Sequence, residues 1–440
     1  MTLLISNCDY LIRDATHIER NCDLLIEGNR ISAIGKNLLK PQNAEILDGR
    51  NCLVMPGLIN AHTHLYQNLI KGRSPGITLV PWCNQVLFPH LETMRPILIQ
   101  DASRLAYLWT SLAGVEMIRG GVTSCVNMDT ISPGIIRAWE DMGFRGVLAY
   151  TLANKWVPEE LRANEGKMKA DMLNFVAAHH HPDGLTTVFV APSTLFLCTD
   201  DLLKWSGEIA RKYDLGLQIH IAEIASEVDD LLANTGHTPV EHLDNLGLLD
   251  PRLSAVHCVH LIDHDIELLA KNDALVVHCP KSNMKLSDGI ASVTKMKKEG
   301  ITVALGTDGC ASNDILDMWE EMRAALLLAR VSTGKPEKIN PQDVFEMATA
   351  KAARVARLDA GELQPGKLAD LAVVDLNAAH LQPFNEYDPL NTLVFCSRAE
   401  DVRDTIINGK IVMCNRQLTQ IDETSLLREA KKVHVELGFF

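Results

Sequence analysis

The chain has 440 residues, 47% hydrophobic and 22% charged, the proportions of a globular protein. That length exceeds one small core and predicts a large domain with a smaller companion. A formal net charge of −14 repels nucleic acid and anionic membrane surfaces, so a small molecule is the expected partner.

Residues 2–54 read as short strands between turns: "LLISNCDYLI", "CDLLIEGNRISAIG" and "AEILDGRNCLVMPG" run apolar or alternate between Gly and Asn signals. A different rhythm follows. Apolar runs at 53–64, 121–128, 145–152, 186–194, 215–223, 253–260, 274–283 and 302–309 alternate with helical patterns such as "DLLKWSGEIARKYD" and "IASVTKMKKEG". Runs rich in Val, Ile and Leu without strict alternation are buried on both faces, as in a parallel sheet. Eight such units in about 300 residues predict a closed (β/α)8 TIM barrel. An open doubly wound sheet is the alternative, but no GxGxxG follows any of the runs. The β texture returns in "LADLAVVDL" and "DVRDTIINGKIVMCNRQL".

Eleven cysteines are scattered with no CxxC pair, which reads as buried thiols in a reducing compartment. The N-terminus has no basic stretch followed by an apolar one, and no apolar run reaches the length of a membrane span. A cytoplasmic enzyme is therefore expected.

The first barrel strand carries "NAHTHLYQN". Side chains alternate along a strand, so His62 and His64 share one face. A pair of hydrogen-bonded core histidines would satisfy that pattern, but the other strands carry similar groups. His220 and Glu223 end the fifth run, His257 and His260 the sixth, and Asp308 the eighth, while His278 lies in the seventh. Barrel active sites are built at these C-terminal strand ends. Imidazoles with a carboxylate suit a divalent first-row metal.

Seven pieces carry a family resemblance: "PGLINAHTH", "EMIRGGVTS", "HIAE", "AVHCVH", "SNMKLSDGIAS", "GTDGCASND" and "GELQPGKLADLAVVDL". Together they span most of residues 50–376. The chain resembles the amidohydrolase superfamily, in the branch of cytosine, guanine, triazine and adenosyl-compound deaminases. The resemblance implies a barrel over residues 56–364 and a small β-sandwich built from 1–55 and 365–440. It implies that His62, His64, His220 and Asp308 hold one metal, zinc first and iron(II) second. The fourth run, "VFVAPST", lacks the lysine that binuclear relatives use. Glu223 would shuttle protons and His257 would polarise the attacking water. Homodimers are common among such relatives, so a homodimer is a further expectation.

A bound metal makes hydroxide available near neutral pH by lowering the pKa of water to roughly 7. Attack on a ring carbon bearing an amino group then requires protonation of a ring nitrogen, the task assigned to Glu223. Asp308 would accept the second proton and help release ammonia. Other histidines and polar residues read more plainly. His179, His180 and His181 precede Pro-Asp-Gly and predict a solvated turn. His278 is expected to support or pack rather than ligate. Trp82 either lines the pocket or belongs to the core. Cys310 has no base beside it, and Asn313 and Asp314 are expected to cap the next helix.

The predicted activity is release of ammonia from an amino-substituted N-heterocycle. Removal of chloride or an alkylamine from a triazine is one alternative, and deamination of S-adenosylhomocysteine or methylthioadenosine another. A scaffold without activity is disfavoured, because all four ligand positions and the acid/base are present. Nucleoside-type relatives carry Gly-Pro-His at the end of the fourth strand, where this chain has Ala191-Pro192-Ser193. They also carry a carboxylate two residues after the proline beyond the loop tryptophan, whereas here Glu92 follows Pro89 by three. Gln67 matches a glutamine of guanine- and triazine-type relatives. Gln67, Trp82, Ser193 and Glu92 are thus the candidate substrate contacts, and a free base, pterin or triazine is expected over a nucleoside.

Overall fold

The computed structural model describes residues 2–73, 76–129, 133–159 and 164–438. Eight parallel strands form the barrel: β1 (Leu58–Thr63), β2 (Val122–Asp129), β3 (Arg145–Leu152), β4 (Thr186–Pro192), β5 (Leu217–Ile221), β6 (Leu253–His257), β7 (Leu275–His278) and β8 (Val303–Leu305). Nearly every residue in them is buried, because helices cover the outside while Ile59, Val126, Val147, Phe189, Val256 and Ala304 fill the inside.

The seam between β8 and β1 places two functional residues side by side. Asp308 donates its backbone N–H to His62 O at 3.1 Å. The Asn60 carboxamide bridges to Thr307, donating to Oγ1 at 2.8 Å and accepting its N–H at 3.0 Å. Gly306 permits this approach, since a Cβ there would lie 2.9 Å from the His62 backbone.

Strands from both chain ends build a separate nine-stranded mixed sheet. The two ends meet where Leu371–Asp375 pairs antiparallel with Cys52–Pro56. This sheet is the smaller β unit expected from the terminal segments, with Leu3, Ile5, Leu24, Val54, Leu371 and Val373 in its core. A fully buried ion pair fastens it to the barrel: Arg145 Nε lies 2.6 Å from Asp370 Oδ2, each side chain only 2% exposed. Among the described residues, no helix is long and apolar enough to cross a membrane.

Candidate active site

The polar residues converge at the C-terminal mouth of the barrel. His62 and His64 project from β1, His220 from β5, and Asp308 lies just past β8. The Nε2 atoms of His62 and His220 are 3.2 Å apart, and those of His64 and His220 are 3.3 Å apart. Asp308 Oδ1 lies 3.4 Å from His62 Nε2 and 3.3 Å from His64 Nε2. Tetrahedral ligands about 2.0–2.1 Å from an ion stand about 3.3 Å from one another. The four measured separations match that edge.

Each imidazole is aimed by its outer nitrogen. His62 Nδ1 donates to Gln218 Oε1 at 2.8 Å, His64 Nδ1 to Met128 O at 2.6 Å, and His220 Nδ1 to Ser193 O at 2.6 Å. That leaves three Nε2 lone pairs facing one another beside a carboxylate, an arrangement of acceptors that fits a cation at its centre. Burial lowers the pKa of His62, and of His220 far more, so both stay neutral. In His64, Asp308 outweighs burial and raises the pKa. Burial would push the Asp308 carboxyl up, but His62 and His64 hold it well below the carboxylate range. Its Oδ2 accepts from the hydroxyls of Ser282 at 2.6 Å and Ser312 at 2.7 Å.

Glu223 and His257 form the second half of the site. Their ligand-type atoms and that of Asp308 lie within 4.8 Å of one another, and Glu223 Oε1 is 3.5 Å from His257 Nε2. Burial raises the Glu223 pKa well above the ordinary range, helped by the charges of Asp288, Asp308 and Glu227. A carboxyl so placed can hold a proton and give it up. Burial pushes His257 down to about 3, so its ring is neutral near pH 7. Asn283 Nδ2 donates to His257 Nδ1 at 3.0 Å, which leaves the proton on Nε2, facing Glu223.

Gln67, Trp82 and Ser193 all line the pocket above this cluster, with Tyr66, Cys83, Leu87, Phe88, Trp156 and Phe196. The carboxamide oxygen of Gln67 already accepts the Ala311 N–H at 3.2 Å and its Nε2 donates to the Tyr66 hydroxyl at 3.5 Å, so one N–H of Nε2 is left for a ligand. The indole N–H of Trp82 is buried with no partner among the described residues. Glu92 is not brought to the pocket: it is exposed on the helix Phe88–Arg119, pointing away because the buried residues nearest it are His90 and Met94.

Other expected roles sort differently. His278 is buried in β7, outside the two clusters, and its Nδ1 has no partner among the described residues. His179 ends the helix Glu165–His179, and the residues beyond it turn into β4. Burial pushes the Cys310 thiol up to about 12, which removes it as a nucleophile at neutral pH. The expected helix cap is corrected. Asp317 caps Met318–Thr333 by accepting from Trp319 N, whereas Asn313 donates to Thr307 O and Glu321, and Asp314 pairs with Lys285. Asn313 is drawn away because Glu321 is buried and needs a donor. Sequence reasoning gave no role to Gln218, Glu227, Ser282, Asn283 or Ser312. The last three stand inside the pieces "SNMKLSDGIAS" and "GTDGCASND", which was the signal that could have found them, whereas Gln218 and Glu227 stand in no recognisable spacing.

Residues 53–412 match the model of the Amidohydrolase family. The chain is 35% identical over 427 residues to the 5'-deoxyadenosine deaminase of Methanothermobacter thermautotrophicus, covering 97% of each. It is 37% identical over 414 residues to the 5-methylthioadenosine/S-adenosylhomocysteine deaminase of Thermococcus sibiricus, covering 94% of each. An adenosine deaminase from Xanthomonas campestris, solved with bound zinc, superposes with a TM-score of 0.92 at 27% identity, over 100% of this chain and 99% of that one. With three imidazoles and a carboxylate at the barrel mouth, this chain belongs to the amidohydrolase family.

Proposed function

We propose that the protein is a metal-dependent hydrolytic deaminase that releases ammonia from an amino-substituted N-heterocycle. The observation that carries the reading is the junction of the two clusters: a buried, raised-pKa carboxyl, Glu223, lies within 4.8 Å of Asp308, which also belongs to the cluster of His62, His64 and His220. His62, His64, His220 and Asp308 would hold one divalent ion, zinc first and iron(II) second. When bound, such an ion acts as a Lewis acid and acidifies water.

The remaining work falls to side chains. Glu223 accepts a proton from the attacking water and delivers it to a ring nitrogen, which must be protonated as aromaticity is lost. His257, a neutral donor at Nε2, stabilises the oxygen on which negative charge develops. Asp308 takes the second proton from the added oxygen and passes it to the amino group, which leaves as ammonia as the C–N bond breaks, and the hydroxyls of Ser282 and Ser312 hold the other Asp308 oxygen in place. Gln67 Nε2 and the Trp82 N–H supply donors to the acceptor edge of a flat ring.

A free base, pterin or triazine is the first substrate reading. Among the described residues, the only carboxylates lining the pocket are Glu223 and Asp308, both committed to the chemistry, and Glu92 lies elsewhere. Ribose hydroxyls would go without a carboxylate partner there, and an unmade polar contact costs about 1–3 kcal/mol. The names of the relatives support a second reading, a 5'-substituted adenosine. Ammonia release measured as kcat/KM on guanine, pterin and triazine compounds, against adenosine, 5'-deoxyadenosine and methylthioadenosine, separates the two. Preference for an adenosyl compound overturns the first reading. Ammonia from none of them overturns the deaminase.

A further inference from the structure

Two cavities meet at one aromatic wall. The inner cavity, about 110 Å³, lies over Glu223, His257 and the metal cluster. The outer one, about 440 Å³, is bounded by Val80, Lys155, Ser226, Asp230 and Asn234. Trp156 and Phe196 line both. Sites for ordinary small ligands occupy about 300–1,000 Å³. The inner cavity is below that range, so with the wall in place it suits a bare ring and leaves little room for a large substituent. The outer cavity has that room.

Trp156 stands out within the wall. Its φ is 49°, a left-handed conformation disfavoured for a bulky side chain. It is 41% exposed, unusual for an indole facing a catalytic pocket. What holds it is edge-to-face packing on both sides: Phe88 at 5.6 Å and 73°, and Phe196 at 5.5 Å and 69°. Strain of this kind persists where the surroundings impose it, and it clusters at ligand clamps. No sequence motif pointed to this residue.

We propose that Trp156 determines specificity: its indole is the outer wall of the ring pocket, and its bulk decides whether a substituent on the ring can extend into the outer cavity. The inference rests on the inner cavity being the heterocycle site. It accounts for a pocket of family type that is too small, as closed, for the substituted nucleosides its relatives are named for. Removal of the indole should join the two cavities, relieve the exclusion of large substituents and weaken the hold on a bare ring.

The test compares wild type, Trp156→Ala and Trp156→Phe as full-length, metal-loaded enzymes. The probes are guanine and adenine as bare rings, and 5'-deoxyadenosine and methylthioadenosine as substituted ones. In Trp156→Ala the ratio of kcat/KM for substituted over bare rings should rise roughly 10-fold or more, the scale on which a pocket discriminates by size. Trp156→Phe should keep a ratio near the wild-type value. An equal loss on both classes, the mark of a structural role, overturns the proposal, as does an unchanged ratio. Should wild type release ammonia from no probe, the deaminase reading fails separately. Calorimetric affinities of adenine and 5'-deoxyadenosine for the three proteins then give the ratio, and an unchanged ratio or no binding of either overturns the proposal.

Discussion

Removing the Glu227 carboxylate should slow turnover while leaving the metal ligands in place. This side chain is 7% exposed, and its Oε2 accepts the Glu223 N–H at 3.0 Å. Its other oxygen, Oε1, is buried with no hydrogen-bond partner among the described residues. The loop that carries Glu223 is thus tied to Glu227 through the Glu223 amide, with Ala222 at φ 50° just before it. In Glu227→Ala the buried Glu223 amide loses its acceptor, at about 1–3 kcal/mol for the bond left unmade. Glu223 then moves, and a misplacement on the order of 1 Å costs ~10²-fold in rate. Glu227→Gln keeps an oxygen at the anchor and should retain kcat within a few-fold. A second signature follows from charge. Burial raises the Glu227 carboxyl from 4.5 to about 7. A folded pKa above the unfolded one means that protonation stabilises the fold. That stabilisation is complete below about pH 4.5 and is lost as the pH rises through 7. The gap corresponds to ~3 kcal/mol. Wild type should therefore lose stability relative to Glu227→Gln across this window. Steady-state kinetics, metal analysis and denaturant unfolding at several pH values read all of this. Wild-type kcat in Glu227→Ala, or loss of its metal, refutes the anchoring argument.

The other predictions concern the clusters and the domain joint. Metal analysis of the purified protein should give close to one ion per chain, and His220→Ala should lose the ion and the activity while keeping its circular dichroism, because so large a barrel core does not rest on one ligand. Two tightly held ions per active chain would contradict the single-metal reading. Glu223→Gln should retain the metal while kcat falls by roughly 10²-fold or more, the usual scale of lost acid–base catalysis; loss of the metal as well would make Glu223 a ligand. Asp370→Asn leaves the Arg145 guanidinium buried without its anion and should cost ~3–5 kcal/mol in denaturant unfolding, a loss that an unchanged midpoint would rule out.

The barrel and its mouth were legible because both rest on local signals. Eight apolar runs with turns between them mark strands buried on both faces, and HxH, HIAE and VHCVH place polar residues where such strands end. The terminal sheet was legible for the same reason, although strand order was not: pairing of Leu371–Asp375 with Cys52–Pro56 joins segments more than 300 residues apart, and no local pattern encodes that partner. The residues that aim the ligands were equally hidden. Gln218 sits two positions before His220 in an apolar run and reads as filler, yet its carboxamide oxygen fixes the His62 ring from the opposite side of the barrel. Ser282 and Ser312 come from different segments and meet only at Asp308. The helix cap went wrong through a related effect: a buried glutamate, Glu321, outcompeted the cap position for the Asn313 amide.

Backbone conformation is the other feature that spacing could not reveal, and it bears on why the site works where it does. Ala222, His257, Cys258 and Asp308 have φ of 50°, 73°, 51° and 59°. All four lie at or just beyond the C-terminal ends of β5, β6 and β8. An L-residue in that region costs of order 1–3 kcal/mol and persists only when its surroundings fix it. Here the surroundings do so: the Glu227 carboxylate holds the Glu223 amide next to Ala222, Asn283 holds the His257 ring, and the β8–β1 seam holds Asp308. The left-handed turns let strands that run outward from the barrel bend their last side chains back over its mouth. Glu223, His257 and Asp308 are thereby brought within 4.8 Å of one another from three different strands. The rigid barrel fixes the histidines, and the strained turns at its rim place the groups that must handle protons.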